Sequence, residues 1–505
     1  MALTGIDLPE TAKRLKGFFS SFIEEPFLSH PFLIVLLFLL SVIEDSYKVI
    51  PWPGFITTSL TALIIAFFML FIISYLIRNK RKAALITSVF LYIIFFYADI
   101  KNFIFHSGII PNLIERRNTF VMMVLIFFYT IFCLYVFFSR QPLKKLNLYL
   151  TILFAIMIPI KIGQINMIAQ LTDGDYRNYF AYKKVYPLNH ENSGKNPDIY
   201  YIILDSYTSS KSLKDYWQYD NESFVTFLRQ KGFFVAEDSL SPNRNTPLSI
   251  AQSLNVSSFN ESIYKLPEGI ILSLLYDMFQ NNKVTASLKA IGYTFHNLSH
   301  YDVAGAPRFY TIPEVELPSW ERPFPKALFE KTIFGLLRKR HLAATKEFSK
   351  INLAIFERLK SLSNQKYNKP IFVYAHIMMP HFPYHFDRKG HYTPIEKLRG
   401  TLKRKDLYLE QLIYTNQLVM ETINSLWLSY PQKPPIIILQ GDHGFRYLEG
   451  SDKEGSDKER ENWTILNAYF LPNKKCDLTN DISPLNTFRV IFNCYFGTKY
   501  NIITE

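Results

Sequence analysis

The sequence predicts five membrane-spanning helices followed by an α/β domain built on a largely parallel sheet. Two observations carry this reading. Long apolar runs are confined to the first 170 residues, and after residue 198 short apolar runs alternate with amphipathic stretches. A mean hydropathy of +0.03 is then the average of two unlike halves. Composition excludes other classes. With 49% apolar, 16% aromatic and 20% charged residues, the chain is not of the disordered type, and its 19 Gly and 27 Pro are scattered rather than periodic as in collagen. Three Cys are too few for a disulfide-built scaffold of 505 residues.

A span needs about 20 mostly apolar residues. Five stretches meet or approach this: 26–43, 55–77, 83–97, 119–138 and 146–169. The third is short unless it continues to residue 105 past Asp99 and Lys101, and the fifth carries Lys161, which must snorkel or face protein. The net charge of +13 divides into +8 for residues 1–195 and +5 for the remainder. The first-half cations flank the apolar runs, so membrane topology explains them better than nucleic acid does. Lys13, Arg14, Lys16, Arg78, Lys80, Arg81, Lys82, Arg140, Lys144 and Lys145 fall on one side of the five spans. Lys48, Lys101, Arg116 and Arg117 fall on the other. Ten cations against four predict that the first side is cytoplasmic. Everything after about Gln170 is then expected outside the cytoplasm, with no cleavable leader at the N-terminus.

The predicted organisation is a five-helix anchor over 1–170, a polar linker over 171–197 and an extracytoplasmic domain over 198–505. Runs suited to buried strands are 199–204, 233–236, 293–296, 370–376, 435–440 and 465–471. Helical patterns cover 222–231, 284–291, 343–362, 406–428 and 484–495. The segment 450–461, rich in Asp, Lys and Glu, reads as a solvated loop. Cys476 and Cys494 are either disulfide-bonded or two buried thiols; Cys133 lies in the fourth span.

In open α/β sheets ligands bind beyond the carboxyl ends of the strands. There the sequence offers Asp205, then His376 with His381 and His385 shortly after it, and then Asp442-His443-Gly444. Carboxylates and imidazoles gathered in this way suit a divalent cation of the zinc or manganese type. Thr246 precedes Pro247 and the apolar-patterned LSIAQSLN, which reads as an N-cap with proline at the first helical position. A hydroxyl at a helix N-terminus beside a metal has the chemistry to attack phosphorus or sulfur. Arg244 and Arg446 flank the hydroxyl and the Asp-His pair, and either could clamp anionic oxygens. His296, His300, His385 and His391 read as structural.

Asp after the first strand, a hydroxyl some forty residues on, PHFPY in mid-domain and Asp-His-Gly near the end resemble the alkaline phosphatase superfamily. Within it the likeness is to sulfatase-like membrane enzymes. Five spans before an exported domain also look like lipoteichoic acid synthase and the lipid A phosphoethanolamine transferases. The resemblance implies a sulfatase-like α/β/α sandwich, with Asp205, Thr246, Asp442 and His443 as metal ligands. It implies Thr246 as nucleophile, and His381, His376 and Arg244 as substrate-binding residues. Sulfatases carry a C/S-x-P-x-R motif and usually Asp-Asn where this chain has Asp442-His443. These departures point to phosphate esters rather than sulfate, and to manganese or zinc rather than calcium. The transferases usually carry Glu where this chain has Asp205. The implied activity is metal-dependent hydrolysis or transfer on a membrane lipid or envelope glycan, in a multi-pass protein of the cell membrane. The alternatives are a sulfuric ester hydrolase and a non-catalytic membrane accessory protein.

Overall fold

The structure, a computed structural model, describes residues 25, 28–46, 52–106, 117–173, 187–188, 196–258, 268–309, 331–334, 346–394, 397, 404–448, 458–473 and 476–503. It falls into two units. One comprises Met1–Gly174, Glu268–Ser273 and Leu317–Arg340, and the other Asp175–Pro267, Leu274–Glu316 and His341–Glu505.

The first unit holds α1 (His30–Ser46), α2 (Trp52–Ile77), α3 (Lys80–Phe95), α4 (Tyr97–His106), α5 (Arg117–Phe138) and α6 (Lys144–Asp173). Phe55–Ile77, Thr119–Phe138 and Lys144–Gln170 are long and apolar enough to cross a bilayer. They expose large side chains such as Ile64, Phe128 and Ile160, as a lipid-facing surface does. The described residues do not confirm the expected count of five. At 17 described residues α1 is at the short limit of a span, and the third stretch is broken, with α3 and α4 bent by 67° at Phe96. Asp99 and Lys101 follow the bend, and two charges there disfavour continuing straight through hydrocarbon. The described residues thus carry three helices long and apolar enough to span, or four if the bent pair counts as one.

The bend frees the Ile94 carbonyl, which a continuous helix would bond four residues on. The Ile333 amide donates to it at 3.0 Å. Beside it, the Lys331 ammonium donates to the Ser41 carbonyl at 3.3 Å, and Ile333 packs on Tyr97 and Val121. A later stretch of chain therefore completes the hydrogen bonding of the helix break.

Polar contacts tie the helices internally. The His30 ring meets Ser88 Oγ at 2.5 Å and Asn147 Oδ1 at 2.8 Å, joining α1, α3 and α6. Lys161, the cation expected to snorkel or face protein, faces protein: its Nζ lies 2.5 Å from Glu44 Oε2.

In the second unit six strands form one sheet: β1 (Ile199–Leu204), β2 (Phe234–Ala236), β3 (Thr294–Leu298), β4 (Ile371–Ile377), β5 (Ile436–Gly441) and β6 (Asn467–Phe470), in the order β2-β6-β5-β1-β4-β3. All six expected strands are present, and β5, β1, β4 and β3 run parallel. β6 is antiparallel to both β5 and β2. Every residue of β1, β4 and β5 is buried, the consequence of helices on both faces. Alternation assigns the faces. Tyr200, Ile202 and Leu204 join a core with Phe224 and Leu228 of α8 (Glu222–Gln230), Ile355 and Leu359 of α12 (Lys346–Ser363), and Leu412 and Ile423 of α13 (Lys405–Ser429). Tyr201 faces the other way, onto Phe488 of α14 (Thr487–Phe496), 5.1 Å between ring centroids. That face also carries α9 (Thr246–Asn255) and α11 (Lys283–Ala290). The helices α7 (Ser210–Trp217) and α10 (Glu268–Gln280, of which Glu268–Ser273 are counted with the first unit) were not anticipated. Cys476 and Cys494 are disulfide-bonded, which decides between the two alternatives. Most of the expected linker and of the loop 450–461 lies outside the described residues.

The Lys161–Glu44 pair yields a prediction. Lys161→Ala leaves Glu44 unpaired where both side chains are about three-quarters buried. It should destabilise the protein in micelles by up to about 3 kcal/mol, below the fully buried cost because of residual exposure. The double variant Lys161→Met/Glu44→Leu should recover most of the loss. A thermal double-mutant cycle reads the coupling, and additive losses would mean that the pair contributes nothing.

Candidate metal centre and active site

Register builds the centre. β1 pairs in parallel with β5 so that Leu204 lies opposite Gly441, and with β4 so that Leu204 lies opposite Ile377. The next residues on the two central strands are Asp205 and Asp442, so the pairing alone sets two carboxylates side by side. Asp205 N–H still donates to the Ile377 carbonyl at 2.9 Å, holding this first turn to the sheet. Ser206 then takes a left-handed conformation, φ +64°. This turns its N–H onto Asp442 Oδ1 at 2.9 Å. The same oxygen accepts from His443 N–H at 2.9 Å. Gly444 closes the turn against backbone: a Cβ there would lie 2.1 Å from the Glu461 carbonyl oxygen.

One ligand atom from each of Asp205, Asp442 and His443 lies within 4.8 Å of the others, and all three residues are buried. His443 Nε2 is 3.6 Å from Asp205 Oδ1 and 3.6 Å from Asp442 Oδ2. Those three atoms have no hydrogen-bond partner. Buried polar atoms are rarely left so, and three converging donors of O, O and N type fit a divalent cation of the zinc or manganese kind. The imidazole is in the form a metal needs. His443 Nδ1 lies 2.7 Å from the Gly444 carbonyl, which can only accept, so Nδ1 carries the proton and Nε2 the lone pair. Burial, against the pull of Asp442 and Asp205, moves the His443 pKa down. For Asp205 burial acts upward, but His381, His376 and His443 together hold it well below the usual carboxylate range.

The other expected residues divide. His376 is fully enclosed; its Nδ1 is 3.0 Å from Tyr374 Oη and its Nε2 3.4 Å from Asp205 Oδ2. It stands behind the carboxylate, held between Asp205 and Tyr374. Burial keeps the Tyr374 phenol protonated. It therefore donates to Nδ1, and the Nε2 proton turns to Asp205. His381 lies in the loop after β4, tied by its N–H to the Asp205 carbonyl at 3.1 Å and by its carbonyl to Gln411 of α13 at 2.9 Å. Its ring is 6.2 Å from that of His443. Its Nδ1 bonds the Phe382 carbonyl, and its Nε2 meets Arg446 Nη2 at 3.5 Å.

Thr246 begins α9 but does not cap it. Asn245 is the cap, with extended backbone and a side chain accepting from Leu248 N–H at 3.5 Å, so Thr246 and Pro247 are the first two helical residues. Among the described residues the Thr246 hydroxyl makes no hydrogen bond, and the side chain is 7% exposed. Ser241 ties this segment to the centre: its hydroxyl contacts the Asp442 and Asn243 carbonyls, each at 2.5 Å. Arg446 Nη1 donates to the Arg244 carbonyl at 3.1 Å. The Arg244 side chain itself is exposed. Ser206, Ser241 and Tyr408, whose hydroxyl donates to the Ser206 carbonyl at 2.8 Å, went unnoticed in the sequence. Only the register reveals their roles. His385 is 4% exposed with an unpartnered Nε2 and belongs to no ligand cluster among the described residues.

The fold and centre therefore define an α/β protein with a buried Asp–Asp–His cluster that could hold a cation at the carboxyl edge of its sheet, preceded by an apolar helical unit. No protein-family model and no curated protein sequence matches the chain. Solved structures do resemble it. The C-terminal periplasmic domain of EptC from Escherichia coli is 12% identical, with 62% of this chain and 86% of that one covered and a TM-score of 0.38; it is also solved in complex with Zn. The integral membrane lipooligosaccharide phosphoethanolamine transferase A of Neisseria meningitidis is 11% identical over 87% of this chain and 88% of that one, TM-score 0.37. A sulfatase-type protein of glycosaminoglycan metabolism from Bacteroides thetaiotaomicron is 13% identical over 59% and 72%, TM-score 0.37. With TM-scores below 0.5 these structures are too distant to transfer a substrate or a residue's role.

Two outcomes are expected. Asp442→Asn keeps an oxygen to accept from Ser206 and His443 while removing the ligand charge. Metal affinity, measured by competition with a chelator, should fall about 100-fold or more with circular dichroism unchanged. Unchanged affinity would remove Asp442 from the centre. The second concerns acid. Burial lowers the His385 pKa from 6.5 to about 4. The unfolded chain then binds a proton near pH 6.5 that the folded chain refuses until near pH 4, so stability declines as pH falls through that window. The slope should approach roughly 1.4 kcal/mol per pH unit for this group. Chemical denaturation from pH 7 to 4 should show a shallower decline in His385→Gln, and an identical slope would discount its burial.

Proposed function

We propose that the protein is a membrane-anchored, metal-dependent phosphoryl-ester hydrolase or transferase with Thr246 as nucleophile. The observation that carries this is the convergence of three unpartnered buried ligand atoms, with the first turn of α9 linked to the same loop through Ser241, whose hydroxyl meets the Asp442 carbonyl and lies 3.3 Å from Ser249 Oγ. Asp205, Asp442, His443 and Thr246 would hold one divalent ion, manganese or zinc. Bound there, the ion would supply a Lewis acid that lowers the pKa of a ligating hydroxyl. The Thr246 oxygen forms a bond to phosphorus while the bond to the departing oxygen breaks. The Thr246 amide and the positive end of the α9 dipole face the charge that builds on the non-bridging oxygens, Pro247 having no N–H and those of Leu248 and Ser249 bonding Asn245. His381, its Nδ1 proton spent on Phe382, has Nε2 as acceptor and carries protons between entering and leaving oxygens. His376 acts through Asp205 by fixing its carboxylate. Water or an acceptor hydroxyl then takes the group from Thr246.

The ten-to-four cation asymmetry supports an extracytoplasmic domain, as does the Cys476–Cys494 bond, since such bonds persist in oxidising compartments. The anchor supports a membrane lipid or envelope glycan as donor or acceptor.

Because Asn245 rather than Thr246 caps α9, Thr246→Ala should change stability by less than the roughly 0.5–2 kcal/mol of a lost cap. It should nonetheless abolish turnover of a phosphodiester, while Thr246→Ser retains part of it. Mass spectrometry of trapped wild type should find the added group on Thr246. A fully active Thr246→Ala protein would sink the nucleophile assignment, and turnover of a sulfate ester above that of the phosphate ester would reverse the choice of substrate.

A further inference from the structure

We infer that the amino edge of the sheet, opposite the Asp205–Asp442–His443 cluster, carries a second binding surface, and that its occupant is a glycan bearing negatively charged groups.

Three observations carry it. The first is position. The parallel strands β5, β1, β4 and β3 all begin at this edge, and so does β2, which like β5 is antiparallel to β6. The six residues of β1 separate the edge from Asp205, roughly 20 Å at the rise of a parallel strand. The second is charge. The connections that lead into β2, β5 and β4, residues 231–233, 430–435 and 364–370, contain Lys231, Lys433, Lys366 and Lys369 and no Asp or Glu. Lys366, Lys369 and Lys433 are exposed. The carboxylate just ahead of β1, Asp198, turns to its neighbours, accepting from Ile371 N–H at 2.8 Å and from the Tyr430 hydroxyl at 2.7 Å. Four ammonium groups against one bonded carboxylate leave this edge net positive and suited to a polyanion.

The third is shape. Between the end of α13 and the start of β5 lies a cavity of about 300 Å³, whose lining includes Trp427, Tyr430, Pro431, Pro434, Pro435 and Ile437. Trp427 is 39% exposed, and Leu428 on the same wall is 81% exposed. The rings are held in place. Trp427 packs on Phe470 with 4.8 Å between centroids, and the Lys231 ammonium lies 5.6 Å from its ring. The bond to Asp198 fixes Tyr430. Indole, phenol and pyrrolidine rings so fixed present flat carbon faces with polar tips at their margins, a match for the faces and hydroxyls of a sugar ring. The lysines around them supply the counter-charge for its acidic substituents. A bilayer surface is met by side chains that project from a helix face, whereas a concave pocket walled by rings suits a discrete ring-shaped ligand.

The full-length protein in nanodiscs of a zwitterionic lipid provides the test. Dextran sulfate is the probe, with neutral dextran and phosphatidylglycerol vesicles alongside. Dextran sulfate should bind, with affinity falling as salt rises, and neutral dextran should bind about 10-fold more weakly or worse. Trp427→Ala should weaken dextran sulfate binding about 10-fold while leaving circular dichroism and metal content unchanged. The double variant Lys231→Gln/Lys433→Gln should weaken it comparably and flatten its salt dependence. Dextran sulfate binding by Trp427→Ala within about twofold of wild type would reduce the effect to general charge attraction and overturn the inference. So would an absence of binding by wild type. Tighter binding to phosphatidylglycerol vesicles than to dextran sulfate, lost in the same variants, would assign the surface to a membrane and overturn the glycan. Loss of bound metal in these variants would mean that the edge is no separate site.

Discussion

The parallel pairing of β1 with β5 is the constraint on which the centre depends. It places Leu204 opposite Gly441, so the chain leaves both strands with an aspartate at the same level. Two carboxylates so close repel each other unless cations or donors intervene. The protein supplies several donors: Ser206 and His443 amides on Asp442, and His376 on Asp205. A register slip of one residue would turn both carboxylates to opposite faces of the sheet. The continuous apolar burial of β1 and β5 is therefore as much a part of the centre as its ligands.

Backbone exceptions complete what register begins. Ser206 accepts a left-handed conformation to aim its amide at Asp442, and the site holds it there through the Tyr408 hydroxyl on its carbonyl. Gly441 and Gly444 sit where a Cβ would meet the Tyr207 carbonyl oxygen at 2.4 Å and that of Glu461 at 2.1 Å. The Asp-His-Gly string is thus a packing statement as well as a chemical one. The glycine lets the turn lie against the chain behind it, and that contact directs the His443 ring towards the carboxylates.

Much of this was legible in the sequence. The six strands announced themselves as continuous apolar runs, because burial on both faces removes the polar alternation that would blur them. Asp205, Asp442 and His443 could be found because ligands in such sheets lie at strand ends. The failures have equally local causes. Thr246 and Asn245 are both competent caps, and only backbone dihedrals distinguish them. The contacts of His376 with Asp205 and Tyr374 could not be read from the sequence, since its burial depends on the strand beside it. The third apolar run was legible as short, but hydropathy does not tell whether the helix passes Asp99 and Lys101 straight or bends at Phe96.

The hydrogen bond from Ile333 to Ile94 bears on how the gene can be divided. Residues 331–334 belong to the helical unit although more than 150 positions separate them from its last helix. A fragment ending near residue 174 would keep every apolar helix and still leave the Ile94 carbonyl and the Tyr97–Val121 surface without the partner that the intact chain provides. Likewise, a chimera that exchanged only the N-terminal helices would mismatch a seam encoded in the other half. The boundary drawn by hydropathy and the boundary drawn by hydrogen bonding are different, and domain dissection has to respect the second.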